Sequence, residues 1–216
     1  MTDHDLREGH GRSSLTAAEQ LIVVAALVAA VLLVIAVALV SRLAGIPFEV
    51  FSRDVVSLTG VRSYTGALSN VGAALWVAAG SVALLSGVVL HRWRQPRRSH
   101  LLLSLGCLTM VLAFDDLLLL HESVAPFVGV PQRVLVSSYV VVLAWLMFRH
   151  REVIRTTPMR LLGLSCALFA ASLALDQFSA VDRYVFEDGF KLVGIVGWLL
   201  YLTLTSLRWL KHPAIG

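Results

Sequence analysis

The chain has 216 residues, of which 57% are hydrophobic and only 15% charged, and its mean hydropathy is +0.79. A soluble domain carries about a quarter of its residues as charges, so that class is excluded. The net charge of +4 does not mark a nucleic-acid binder, because the basic residues sit in short loops between apolar runs, where the cytoplasmic bias of Lys and Arg accounts for them.

Residues 1–20 mix charges with Gly and Ser and read as a polar cytoplasmic tail. Leu21 to Val40 is an unbroken apolar block, and roughly twenty residues at ~1.5 Å each span the ~30 Å hydrocarbon core. A polar lead-in and the Arg42 that follows make it a retained anchor, span one at 21–42, rather than a cleaved signal peptide. The connector after it mixes Phe48, Phe51, Val55 and Leu58 with Glu49, Arg53 and Asp54, which suits a short interfacial helix.

Span two, 66–91, opens on Ser69 and Asn70. It carries Gly66, Ala73, Gly80 and Gly87 at steps of seven, one stripe of small residues that allows close helix contact. Span three, 101–121, ends in the run FDDLLLLHE, Phe114 to Glu122. A connector with Pro126 and Pro131 leads to span four, 133–149, which closes on RHREVIR. Span five, 159–178, reaches Asp176, and span six, 188–209, contains Lys191 and ends at Arg208 and Lys211. Cys107 and Cys166 fall inside spans without metal-site spacing, and no chemistry is assigned to them.

The expectation is an all-α integral membrane protein: a six-span helical bundle in one domain, 21–211, with a short C-terminal tail at 212–216. Twelve of the 18 Lys and Arg residues fall on the side of the two termini, which places both in the cytoplasm. The composition leans toward a bacterial plasma membrane. Leu102 to Cys107 resembles Leu161 to Cys166 at an offset of 59 residues, which suggests a parallel repeat of helical hairpins, spans 3–4 and 5–6.

Charges inside such spans mark function or pairing. Counting the helical rise from the cytoplasmic boundary puts Asp115, Asp176 and Lys191 at about 21, 22 and 25 Å, one shared layer from three spans. Asp116, His121, Glu122, Glu187 and Asp188 lie at or beyond it. Ser104, Val111, Asp115 and Glu122 share one stripe, and Glu187, Lys191, Gly194 and Trp198 another, so the spans are expected to form a funnel closing on Asp115, Asp176 and Lys191. Six carboxylates beside one lysine cannot all stay ionised in low dielectric; they must take protons, reach water or share a cation.

Three functions meet that requirement. In a metal-dependent membrane enzyme acting on a lipid or small exported molecule, Asp115, Asp116, His121 and Glu122 would be the catalytic set. Asp115, His121, Glu122, Asp176 and Glu187 would ligate Zn²⁺, Mn²⁺ or Fe²⁺. In a proton- or cation-coupled transporter, Asp115 and Asp176 would carry the charge against Lys191. In a scaffold, the same ion pairs would fix helix register. Ser69 and Asn70 are neighbours of this site by depth. The bilayer is the partner; nucleic acid is not.

Ser69-Asn70 opening a span, followed by Asp115 or Asp116 and His121, resembles the CREST superfamily of membrane hydrolases. That resemblance implies a Ser/Asp/three-His zinc site in a seven-span bundle. The two further histidines have no counterpart here, since span six has none before His212.

Overall fold

The computed structural model describes residues 17–48, 50, 59–60, 66–176 and 183–211. The expected interfacial helix in the first connector falls largely outside these residues, and so do the side chains of Glu122, Asp176 and Glu187. Every described element is helical, and the chain divides into two compact units, residues 1–65 and 66–216.

The first unit contains α1, Ala17–Ala44. Val24, Val28, Val31, Ile35 and Leu39 are among its many exposed apolar residues. An exterior of that kind is what hydrocarbon demands of a helix and what water penalises. Its C-terminal end closes locally: Ser41 Oγ donates to the Ile46 carbonyl at 2.7 Å, and Gly45 takes the left-handed conformation, φ 67°, that releases the helix.

The second unit is built from α2 (Ala67–Arg92), α3 (Pro96–Leu118), α4 (Gln132–Arg149), α5 (Met159–Asp176) and α6 (Arg183–Lys211). Helices α2, α3, α4 and the Asp188–Lys211 part of α6 are long and apolar enough to cross a membrane, while α5 offers the shorter apolar stretch Met159–Leu175. Helix α2 packs against both α3 and α6, and α6 packs against α5. Helix α4 touches α3 only lightly, and just 6% of its apolar window is buried.

The small-residue stripe explains the α2–α3 seam. A Cβ on Gly80 would lie 2.7 Å from Met110 Sδ, and one on Gly87 would lie 2.8 Å from Leu103 Cγ and 3.1 Å from the Leu103 nitrogen. Gly106 returns the favour from α3, where a Cβ would meet Leu84 Cγ at 2.9 Å. Hydrocarbon gives no hydrophobic drive between spans, so this backbone approach and the dispersion it allows hold the pair together. Ser99 Oγ adds a buried bond to the Gly87 carbonyl at 2.8 Å. Gly66, the first of the four small residues, does something else: it starts α2 in the left-handed conformation, φ 72°.

The centre of the bundle is aromatic. Trp76 of α2 stacks on Phe169 of α5 with centroids 5.4 Å apart, and both meet Trp198 of α6 edge-on at 6.5 Å. Trp198 continues to Tyr201, whose hydroxyl lies 3.2 Å from Thr157 Oγ1. Buried indole and phenol groups need partners. Here the Trp198 Nε1–H donates to Thr109 Oγ1 of α3 at 3.0 Å, and Thr109 in turn donates to the Leu105 carbonyl.

One boundary differs from the expectation in a way that matters. Helix α3 stops at Leu118 rather than 121, because Leu119 adopts the left-handed conformation with φ 52°. A π-helical turn, Leu120–Val124, follows. His121 and Glu122 therefore leave the α3 stripe.

Candidate functional site

Asp115 and Asp116 sit in the last turn of α3, 5% and 7% exposed. Adjacent residues on a helix diverge by about 100°, so the two carboxylates face different neighbours. Each has its own partner.

Asp115 faces the π turn. Its Oδ1 accepts the His121 backbone N–H at 2.9 Å, and its Oδ2 lies 2.6 Å from His121 Nδ1. With Asp115 ionised, the carboxylate only accepts, so Nδ1 carries the proton. The left-handed Leu119 makes this possible: it turns the chain back over the end of α3, and a leucine there costs about 1 kcal/mol, against which two bonds to one carboxylate stand. The His121 side chain is 15% exposed. Tyr139, from the middle of α4, faces the same carboxylate.

Asp116 faces α6 and α2. Lys191 Nζ donates to its Oδ1 in an ion pair, with the lysine side chain 36% exposed. Its Oδ2 is buried and without a hydrogen-bond partner among the described residues. That oxygen points toward Gly72 of α2, 3.8 Å from where a Cβ would stand. The stripe reading gave Lys191 to Asp115 and Asp176; the described ion pair is with Asp116. The reason is a repeated rung. Asp116 lies seven residues after Thr109, and Lys191 seven before Trp198, so antiparallel α3 and α6 are bridged twice, about 10 Å apart along their axes. The Thr109 face was not singled out in the sequence, and it is the face that meets α6.

Ser69 and Asn70 occupy the first turn of α2, exposed, less than one turn before Gly72. They stand at the same end as the acids, and their side chains are not among the bonded partners of Asp115 or Asp116. Asp188 is exposed in α6. Asp176 and Glu187 belong to α5 and α6 by their backbone, and Glu122 to the π turn. Among the described residues no three His, Cys, Asp or Glu side chains stand close enough to hold a metal ion.

Tyr139 was missed in the sequence. Its signal was available: a phenol in the middle of an otherwise apolar span needs a polar partner.

A family model matches residues 21–205, nearly the whole chain, and its description is Domain of unknown function (DUF8692). No curated protein and no solved structure matches the chain.

Proposed function

The chain belongs to the family described as Domain of unknown function (DUF8692), and for it we propose a membrane-embedded acid–base site, open at one end of the bundle, serving a hydrolase-like reaction on a lipid or small exported molecule. The observation that carries this reading is the double hold of Asp115 on His121. A histidine held through Nδ1 by a buried carboxylate has its tautomer and ring orientation set, which leaves Nε2 as the nitrogen for proton transfer. His121 is then the acid/base group and Asp115 the residue that positions it, with Tyr139 as a neighbouring hydroxyl. The aromatic cluster beneath the acids supports chemistry reached from one side rather than passage through the bundle. The matched rungs Asp116–Lys191 and Thr109–Trp198 support a register role for Lys191.

If a divalent cation serves this site, His121, Glu122, Asp176 and Glu187 would hold it, with Asp115 behind the histidine. Zn²⁺, Mn²⁺ or Fe²⁺ would supply a water of lowered pKa. Ser69 and Asn70 form the rim. The wider frame is six spans with both termini in the cytoplasm of a bacterial cell and the acids toward the outside.

A second reading, proton- or cation-coupled transport, is favoured by one observation: Asp116 Oδ2, without a hydrogen-bond partner among the described residues, belongs to a carboxylate–lysine pair of the kind that carries charge in transporters. One set of measurements separates the two. Purified protein in nanodiscs of phosphatidylethanolamine and phosphatidylglycerol is assayed for lipid breakdown by mass spectrometry and for bound metal, and liposomes of the same lipids for proton flux. Turnover reduced about 10²-fold or more by Asp115→Asn, with folding intact, is the expected result. Proton flux abolished by Asp116→Asn, without lipid turnover, overturns the enzyme reading.

A further inference from the structure

At the opposite end of the second unit, where α3 begins and α4 ends, lies a cavity of about 520 Å³. Arg97 and His100 line it from the first turns of α3, and Trp145, Phe148, Arg149 and Arg151 from α4 and the short helix after it. Glu152 is the one acid in its wall, and no ion pair is found between Arg97, Arg149 or Arg151 and an acid among the described residues. Arg151 is held over the Phe148 ring, 4.8 Å from its centroid. A guanidinium fixed on an aromatic face keeps its donors directed and loses less entropy when it meets an anion.

The positive field is felt by a neighbour. Burial, then the Arg149 charge, then His100 hold His150 below the usual imidazole range. His150 also lines the cavity. With three arginines against the single acid Glu152, the wall is short of negative charge where α4 ends.

The approach to the cavity is apolar. Val134, Val141, Trp145 and Phe148 of α4 are 58%, 65%, 59% and 68% exposed. Their spacing of seven, four and three puts them on one face of α4. That face is uncovered within the second unit and leads straight to the arginines. An acyl chain laid along it brings its head group into the cavity.

We propose that this cavity is a binding site for the phosphate head group of an anionic phospholipid, with the exposed face of α4 as the track for its acyl chain. Guanidinium groups suit phosphate by fork geometry as well as charge, and basic pockets at the ends of spans are where anionic head groups are held. The apolar track selects a lipid over free phosphate. The site is separate from the acid–base end and does not depend on what that end does.

The test uses the full chain in detergent, with retained lipid read by intact-protein mass spectrometry after mixing with vesicles of phosphatidylglycerol or of phosphatidylcholine. Phosphatidylglycerol is expected to bind about tenfold or more tightly, and Arg149→Gln with Arg151→Gln to remove that preference. Arg92→Gln with Arg94→Gln, equal in charge loss but outside the cavity wall, is expected to leave it unchanged. Equal binding of the two lipids, or equal loss in both double variants, overturns the proposal. Displacement of the lipid by millimolar inorganic phosphate overturns the lipid as occupant. Should the cavity variant fail to fold, the unmodified chain decides: His150 must titrate higher with phosphatidylglycerol bound than with phosphatidylcholine, and no rise overturns the site.

Discussion

The two ends of the second unit use charge in opposite ways. At the acidic end, each buried carboxylate of α3 has a partner of its own, His121 for Asp115 and the Lys191 ammonium for Asp116. At the basic end, arginines from three elements ring an open cavity with a single acid among them. Paired charge in low dielectric specifies geometry, because breaking a pair leaves an ion that nothing solvates. Unpaired charge at a membrane surface specifies a partner instead, because it stays solvated until an anion arrives.

That contrast gives graded ways to disturb one end and spare the other. The largest effect is expected from Gly87→Leu. Its side chain would drive into Leu103 Cγ, only 2.8 Å from the Cβ position, and force α2 from α3 near the basic end. A loss of about 2–3 kcal/mol, read as a lowered midpoint of thermal unfolding in detergent, is expected. Lipid retention should fall with it, while NMR signals of His121 hold their positions. If instead both ends change together, the two are not independent.

Lys191→Met should act at the acidic end alone. It strands the Asp116 carboxylate, which is 7% exposed, and the partly exposed lysine moderates the penalty to about 2 kcal/mol. Asp116→Asn in the same chain should restore most of the loss, since an uncharged amide needs no counter-ion. A double variant as unstable as Lys191→Met would mean that the ion pair is not what the lysine contributes.

The smallest effect belongs to His150. Its protonation is disfavoured by burial, by Arg149 and by His100, with Arg97, Arg151 and Glu152 also in the wall. A folded-state value below the unfolded one means that protonation opposes folding, so the stability is fully present above the imidazole range and is lost as pH falls through it. Replacing Arg149 with Gln should raise the His150 value, measured by NMR titration. An unchanged value would show that Arg149 does not face the imidazole.

The acidic end also shows how far a stripe can be read. Seven-residue spacing put Gly80 and Gly87 on one stripe suited to close helix contact, and α3 is the helix that stripe meets, because both glycines lie well inside one uninterrupted helix. The same arithmetic joined Asp115 to Glu122 across Leu119, where the helix is interrupted. Nothing in the run LLLL announces a left-handed leucine; the conformation is held in place by Asp115 capturing both the amide and the ring of His121. Lys191 went to Asp116 for a comparable reason. Which side of α3 meets α6 depends on how α2 packs between them, and hydrophobic pattern does not encode it when every face is apolar.

Apolar runs of about twenty residues, with breaks at Pro, Gly and Arg, were enough to locate the helices to within a few residues, since the bilayer and backbone hydrogen bonding leave a long apolar segment few other states. Which polar groups meet was settled only when the helices packed. A carboxylate near the end of a span has several candidate partners at one depth, and side-chain reach of a few ångströms, set by helix rotation and one backward turn at Leu119, chooses among them.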